Sequence, residues 1–564
     1  MEYDVVVVGS GAGGLTTAFT AAKSGLSVLV LEASDLYGGT SAYSGGGVWI
    51  PGSKHQKALG ISDSKEKARK YIQALLGNYY QSERIEAYLD NVNPMLEFVE
   101  GEGWVRLVGV PMPDYEPELE GAGIGRTHMT ADFDGNLLGA DFDSIRPPIQ
   151  EAGLFHSMQI APYDAVRMGA WSRSLANAMF AIGRVSEYAW DRLRGRRGRR
   201  MVNGNALVGQ LFKSARDAGA EFWNRSRAKE LVRENGRIAQ VLVERNGKIV
   251  PVRARVGVML ASGGYSANDD MRRNLLPQAS QGWSLQPETN VGDGIAMGVQ
   301  AGGKHQTDNA SNGIWVPSSS FPRNDGTIAR FPSLFFDRHC PGSLMVDARS
   351  GKRFVDEAIN YQSFGEIAHS KGVGKVWMIS EAPAVAKYGI GMVKPKPFSP
   401  RPWVKRGYIF EAPTITALAE KIGLDPAVLT RTVEDFNEHA ARGECPEFKR
   451  GYSSISAFMG DPAHGPNPTL GPVRTGPFYA LEVRVSTLSS LSGLEVNASA
   501  QVLDEDCAPI PGLYATGVDS NHVFRGRYPG GGVSLGPAMT FGYIAAREMA
   551  RQAQTLPAAQ AAVG

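Results

Sequence analysis

A glycine-rich turn near the start of the chain, Gly9-Ser10-Gly11-Ala12-Gly13-Gly14, narrows the possible folds more than any other feature. It follows a short apolar run, Asp4 to Val8, that reads as a strand, and opens an Ala- and Leu-rich helical stretch ending at Gly25. A second apolar run, Ser27 to Leu31, completes a β-α-β unit. In that setting the glycines let backbone N–H groups approach a pyrophosphate at a helix N-terminus, where the helix dipole favours negative charge. Glu32 ends the second strand, and an acidic residue about 20 positions beyond such glycines suits a hydrogen bond to a ribose hydroxyl. Gly9, Gly11, Gly13, Gly14 and Glu32 are therefore expected to hold a dinucleotide.

Two further segments favour FAD over NAD. Glu32 is followed by Gly38-Gly39-Thr40-Ser41 and then Ser44-Gly45-Gly46-Gly47, a second small-residue loop with room for an isoalloxazine. Late in the chain, the strand-like Ile510 to Thr516 leads to Gly517 and Asp519, and Ser534-Leu535-Gly536-Pro537 opens a helix. The positive end of that helix is suited to the flavin pyrimidine, where it would stabilise the reduced, anionic ring. Gly39, Thr40, Ser41, Gly46, Gly517, Asp519, Ser534 and Leu535 join the cofactor-binding candidates. No histidine lies between Ser41 and Gly45 to anchor the flavin, so non-covalent FAD is expected, and no second nucleotide motif suggests an NAD site.

A chain of 564 residues exceeds the size of one hydrophobic core. A second αβ unit runs from a helix at Ala206 to Ala218, through strands turning at Asn246-Gly247, to the apolar run Val256 to Leu260. From Asn290 to about Tyr479 the composition shifts to Pro- and aromatic-rich segments, with helices expected at Ile415 to Ile422 and Pro426 to Arg442. The expected fold class is α/β: a discontinuous Rossmann-type FAD-binding domain, residues 1–288 and 484–564, with an inserted α+β catalytic or capping domain, residues 289–483. A helix from Met539 to Ala553 closes the chain, and the Ala-rich end from Leu556 reads as disordered.

The formal charge of +2, from 59 basic and 57 acidic residues, argues against a nucleic-acid partner. The run of arginines from Arg192 to Arg200, interleaved with Gly195 and Gly198, reads as a solvated loop, with peripheral contact to an anionic membrane as the alternative. The cysteines Cys340, Cys445 and Cys507 are widely spaced, so neither disulfides nor a metal site is expected. The first strand has no leader before it and no segment suits a bilayer span, which points to a cytoplasmic protein.

FAD elements at both ends around a different central domain resemble the fumarate reductase and 3-ketosteroid dehydrogenase flavoprotein superfamily over nearly the whole chain. Arg527-Tyr528-Pro529-Gly530-Gly531-Gly532, continuing to Tyr543, is similar to the signature of its 3-ketosteroid Δ1-dehydrogenase group. The resemblance implies that the Tyr528 hydroxyl and the Gly532 N–H hold a substrate ketone. Removing a hydrogen beside a carbonyl builds negative charge on its oxygen, and preorganised donors lower that barrier; losing one typically costs about 10² to 10³ in rate. Met112-Pro113-Asp114-Tyr115 resembles the segment that delivers a second tyrosine, which makes Tyr115 a candidate helper in proton transfer. Asn290 to Gly294, Cys340 to Ser343 and Arg353 to Glu357 look like superfamily segments that close the site.

The sequence departs from the group where a third tyrosine, the base, is expected upstream of Pro341-Gly342. No tyrosine stands between Tyr265 and Tyr361; Phe335, Phe336 and His339 stand there instead, with His339 and Tyr163 as substitute bases. The implied activity is desaturation of a cyclic ketone to the conjugated enone, with hydride passing to flavin N5 and a quinone-like or dye-like acceptor reoxidising the flavin. The alternatives are the same chemistry on a smaller monocyclic ketone, a fumarate-reductase-like reductase using Arg338, Arg525 or Arg527, and a non-catalytic flavin-stabilised binding protein.

Overall fold

The computed structural model describes residues 1–555 except 170, 172–173, 196, 278–282 and 335–336. The expectations for Arg196, Phe335, Phe336 and the tail from Leu556 lie outside the described residues.

The strand Glu2–Val8 lies at the centre of an eight-stranded sheet, between Val28–Leu31 and Lys248–Leu260, parallel to both. Its unbroken valine run suits a strand covered on both faces, and Val5, Val6 and Val7 are fully buried. Glu221–Trp223 extends the sheet beyond Val28–Leu31, and Pro509–Ala515 pairs in parallel with Lys248–Leu260 on the other side. The chain therefore returns to its first sheet after more than two hundred residues spent elsewhere. Helix Ala12–Lys23 packs on this sheet, with Leu535–Ala553 and Asn203–Asp217 both packed against it. Asn246 and Gly247 both have positive φ, +52° and +72°, as a type I′ hairpin requires.

The central part builds a second, antiparallel sheet in the order 328–332, 313–322, 478–490, 375–381, 343–347, with Ile409–Ala412 also paired to Phe478–Ser490. Helix Tyr361–Ser370 packs on Gly313–Pro322, and the expected helices appear at Ile415–Ile422 and Pro426–Ala440. A small antiparallel sheet, 47–49, 127–130 and 107–109, stands beside the flavin-side loops.

The arginine run is not a solvated loop. Arg192 and Arg194 end the helix Leu175–Arg194. Arg197 donates to the carbonyls of Phe142 and Ile145, and both Arg197 and Arg199 cover the Phe142 ring, at 4.1 and 4.3 Å. Arg200 is ion-paired with Asp132 and Asp164. Interleaved glycines resemble a linker in sequence, but here a distant aromatic ring and two carboxylates supply the partners.

Candidate functional site

The glycine turn is shaped by close backbone packing. Gly9 has φ +108°, and a Cβ there would stand 2.1 Å from the Ala261 carbonyl oxygen. A Cβ on Gly14 would stand 2.2 Å from the Gly9 oxygen, so Gly14 sets how closely the helix follows the strand. Gly11 is the N-cap of Ala12–Lys23 and offers no side-chain cap of its own; Ser41 Oγ accepts from Ala12 N at 3.0 Å, and the helix N-terminus borders the cavity. One Glu32 carboxylate oxygen accepts from Ser10 Oγ at 2.5 Å and the other from Ser34 N at 2.9 Å, which fixes the carboxylate at the end of its strand.

These groups line one side of a cavity of about 1060 Å³ that also reaches the aromatic residues described below. Gly9, Gly11, Gly13, Glu32, Gly39, Thr40, Ser41, Gly46, Gly517, Ser534 and Leu535 all border it, together with Tyr115, Tyr528 and Gly532. Gly14 and Asp519 stand behind the wall. Asp519, fully buried, accepts the backbone N–H groups of Ser262 and Gly264 and so holds the turn that follows Lys248–Leu260.

On the opposite side, three tyrosines converge. The ring centroids of Tyr115 and Tyr528 are 5.5 Å apart and stacked, and Tyr361 meets both edge-on at 5.6 and 5.3 Å. The Tyr361 hydroxyl donates to the Tyr528 hydroxyl at 2.7 Å. The Tyr115 hydroxyl is buried with no hydrogen-bond partner among the described residues, an arrangement more typical of a ligand site than of a core. Burial raises the pKa of all three phenols; for Tyr361 the neighbouring phenols add to it.

Distant segments place these rings. Pro529 carbonyl accepts both Tyr115 N, at 2.9 Å, and the Tyr71 hydroxyl, at 2.7 Å, so the Tyr-Pro-Gly segment and the Tyr115 segment share an anchor. Asp114 takes Trp49 Nε1 at 2.9 Å and Arg126 at 2.7 Å in a buried cluster behind Tyr115. Tyr361 is the first residue of its helix. Asn360, the N-cap, accepts Ser363 N at 2.9 Å and donates to the Tyr115 carbonyl at 3.4 Å, which joins the second and third tyrosines. Gly532 has φ +97°, and a Cβ there would meet the Gly47–Val48 peptide at 2.5 Å. The loop is held by Thr127 Oγ1 on the Gly531 carbonyl at 2.8 Å.

Sequence reading misses Tyr361, because the third tyrosine is expected upstream of Pro341-Gly342 whereas Tyr361 stands downstream. The available signal is its place directly after the Arg353–Glu357 segment, behind an Asn suited to capping a helix. The two substitutes do not join the trio. His339 is buried away from the cavity, with its pKa pushed well below the usual value by burial and by Arg338 and Arg450. Tyr163 lines the cavity but is half exposed and donates to Asp132 at 2.6 Å.

The family model for the FAD binding domain matches residues 4–535. The chain is 37% identical over 559 residues to the 4-oxocyclohex-2-ene-1-carboxylate 5-dehydrogenase of Sinomonas cyclohexanicum, covering 98% of this chain and 94% of that one. It is 34% identical to the 3-oxosteroid 1-dehydrogenase of Mycolicibacterium smegmatis, with 98% of each covered. The crystal structure of 3-ketosteroid Δ1-dehydrogenase from Sterolibacterium denitrificans, in complex with 1,4-androstadiene-3,17-dione, superimposes with a TM-score of 0.90 at 33% identity, covering 98% of this chain and 100% of that one. The chain belongs to the FAD-dependent 3-ketosteroid Δ1-dehydrogenase group.

As a member of this dehydrogenase group it is an FAD-dependent oxidoreductase. The glycine cradle at the helix N-terminus and the fixed Glu32 carboxylate fit the FAD pyrophosphate and ribose. The arginines that a fumarate-reductase-like clamp requires are engaged elsewhere. Arg338 donates to the carbonyls of Ser333, Glu357 and Ile359, Arg525 pairs with Glu495 at 3.2 Å, and Arg527 lies on the surface beside Glu366. None of the three lines the cavity of this Δ1-dehydrogenase relative.

Proposed function

We propose that this enzyme desaturates a neutral, apolar cyclic ketone of the 3-ketosteroid class. The convergence of Tyr115, Tyr361 and Tyr528 beside Gly532, on the cavity shared with the FAD cradle, carries the reading. Tyr528 and the Gly532 N–H hold the ketone oxygen. Tyr361, donating to Tyr528, polarises that hydroxyl further, because hydrogen bonds in a chain strengthen one another. The α-proton passes to the Tyr115–Tyr361 pair. Bound FAD supplies the hydride acceptor for the β-hydrogen, and a quinone-like or dye-like compound reoxidises it. Apolar walls keep water from the enolising carbon.

The lining supports a neutral substrate. Around the tyrosines it consists of side chains such as Val110, Met112, Met129, Ile314, Leu334 and Leu488. Arg227, the one Lys or Arg among the described lining residues, adjoins Ser226, whose N–H binds the Glu32 carbonyl, and pairs with Asp293 at 2.5 Å. It therefore belongs to the nucleotide side. A substrate carboxylate would be buried beside the tyrosines with no Lys or Arg side chain of the described lining to meet it, a costly arrangement. The similarity to a 4-oxocyclohex-2-ene-1-carboxylate dehydrogenase favours a second reading, a monocyclic oxo acid, which the lining opposes.

Anaerobic mixing of the oxidised holoenzyme with a 3-ketosteroid, a neutral 4-alkylcyclohexanone and 4-oxocyclohexanecarboxylate separates the readings by the loss of flavin absorbance. Bleaching by the neutral ketones, fastest with the steroid, is the expected result. Bleaching by the carboxylate alone would move the substrate to the oxo acids, and no bleaching would end the desaturase reading.

A further inference from the structure

Arg338 is a buried cation in an unfavourable place. Its side chain is 1% exposed, and no carboxylate among the described residues forms an ion pair with it. Carbonyl oxygens meet it instead: Nε donates to Ser333 at 2.9 Å, and Nη1 donates to Glu357 and Ile359, both at 2.6 Å. Nη2 reaches the carbonyl of Leu334, a cavity-lining residue, at 3.5 Å. By contrast, Arg353 and Arg450 share the Glu357 carboxylate, at 2.8 and 3.3 Å. Glu357 and Ile359 stand just ahead of Asn360, the N-cap of Tyr361–Ser370, and the guanidinium lies 5.8 Å from the Phe364 ring of that helix. The N-terminal end of a helix carries partial positive charge, so basic side chains are favoured at the other end. A buried cation here costs free energy through lost hydration and through the dipole. A neutral amide could hold the same carbonyls without either cost.

We infer that Arg338 is a positioning residue for the proton transfer: its clamp on the Glu357 and Ile359 carbonyls sets the helix start that presents Tyr361, and its charge stabilises a phenolate in the Tyr115–Tyr361 pair. Tyr361 is the first residue of the helix, and Asn360 donates to the Tyr115 carbonyl at 3.4 Å, so the clamp reaches both phenols. The inference deepens the desaturase reading and rests on it. In that reaction a phenol first gives its proton to solvent. The phenolate then takes the α-proton and is neutral again, while the β-hydrogen leaves with its electron pair to bound FAD and the C=C bond forms.

The other charges around the pair leave this task to Arg338. Burial and then Tyr528 raise the pKa of Tyr115, and the charge of Arg338 works against them. Burial, Tyr115 and Tyr528 raise that of Tyr361. Asp337 and Asp356 attract the guanidinium and Arg450 repels it. Asp337 is raised by burial and accepts the N–H groups of Arg338 and Gly391; burial pushes Asp356 up to about 6. Glu116 accepts from Asn360 and Ser363, and His339 is held neutral by burial and by the two arginines.

The test reads the phenols directly, by fluorine NMR of the holoenzyme carrying difluorotyrosine in place of Tyr115 or Tyr361, titrated without substrate. Arg338→Gln removes the charge and is expected to move the titration up by about one pH unit, and to slow flavin bleaching by a 3-ketosteroid at neutral pH about tenfold. Arg338→Lys keeps the charge and holds the titration near that of the wild type. Asp356→Asn removes a carboxylate that offsets the guanidinium; above about pH 6, where that carboxylate is ionised, it moves the titration down and quickens bleaching. Equal displacement in Arg338→Gln and Arg338→Lys, the mark of a purely structural role, overturns the inference. So does an unmoved titration in Asp356→Asn, which decides the matter even where Arg338→Gln fails to fold. The expected shifts in an enzyme that no ketone bleaches would end the desaturase reading and leave the coupling of Arg338 to the phenols standing.

Discussion

The hydroxyls of Tyr361 and Tyr528 stand 2.7 Å apart across a sequence separation of 167 residues. One belongs to the first turn of a helix packed on the antiparallel sheet, the other to the loop that leads into Leu535–Ala553. Replacing Tyr528 by Phe removes the donor proposed for the ketone oxygen and is expected to slow flavin reduction by about 10² to 10³. Tyr361→Phe and Tyr115→Phe identify which phenol receives the proton, the larger loss marking the acceptor. Single-turnover bleaching with the flavin content checked is the measurement; full activity in Tyr528→Phe would remove the ketone-binding role.

A phenol must lose its proton before it can act as a base, and burial raises all three pKa values above the ordinary value of about 10. Across neutral pH the phenolate fraction then grows about tenfold per unit. The rate of flavin reduction is expected to climb steadily from about pH 6 to 9. A flat profile in stopped-flow bleaching would exclude a phenol as base.

Glu32 accepts hydrogen bonds at both carboxylate oxygens while bordering the cofactor side of the cavity. Glu32→Ala removes a charged acceptor worth roughly 1.5–3 kcal/mol, so FAD affinity should fall by ten- to a hundredfold. Fluorescence titration of the apoprotein with FAD measures it. An unchanged affinity would show that Glu32 serves only to hold Ser10 and Ser34.

Gly532→Ala places a side chain at φ +97° and 2.5 Å from the Gly47–Val48 peptide. Strain of about 1–3 kcal/mol follows, and the loop carrying the proposed N–H donor must shift. A lower melting temperature together with a raised KM for the ketone is expected; a change in neither would contradict the described packing.

Acid should weaken the fold through its buried histidines. Burial pushes His128 and His522 down to about 4, with His128 held between the Ser53 hydroxyl at 2.7 Å and the Arg126 carbonyl at 2.9 Å. Both folded values lie below the unfolded value of about 6.5, so their contribution is complete above that pH and is lost as pH falls toward about 4. Melting temperature followed by tryptophan fluorescence should drop across this window, and His522→Gln should flatten part of the drop.

Much of the cofactor side is legible in the order of amino acids alone. Gly9 to Gly14, Glu32 and the Thr40–Ser41 loop are local signals, because a turn, its strand and its helix lie within a few tens of residues. Tyr528 and Gly532 are legible through family resemblance. Tyr361 is not, because its part depends on Asn360 bridging to the Tyr115 carbonyl, a contact between segments 245 residues apart. The arginine run misleads for a similar reason: its partners, Phe142, Asp132 and Asp164, come from other elements.

By itself the sequence determined that the chain binds FAD in a β-α-β unit, since glycine spacing and strand hydrophobicity are fixed residue by residue, and its family resemblance singled out the loop proposed to carry the ketone donors. Only the tertiary structure decided the rest. It brought Tyr115, Tyr361 and Tyr528 onto one cavity, left that end without a Lys or Arg in its described lining, and turned the apolar side of Leu175–Arg194 outward. Each outcome depends on which distant surfaces compete for a side chain, and a linear pattern does not encode that competition.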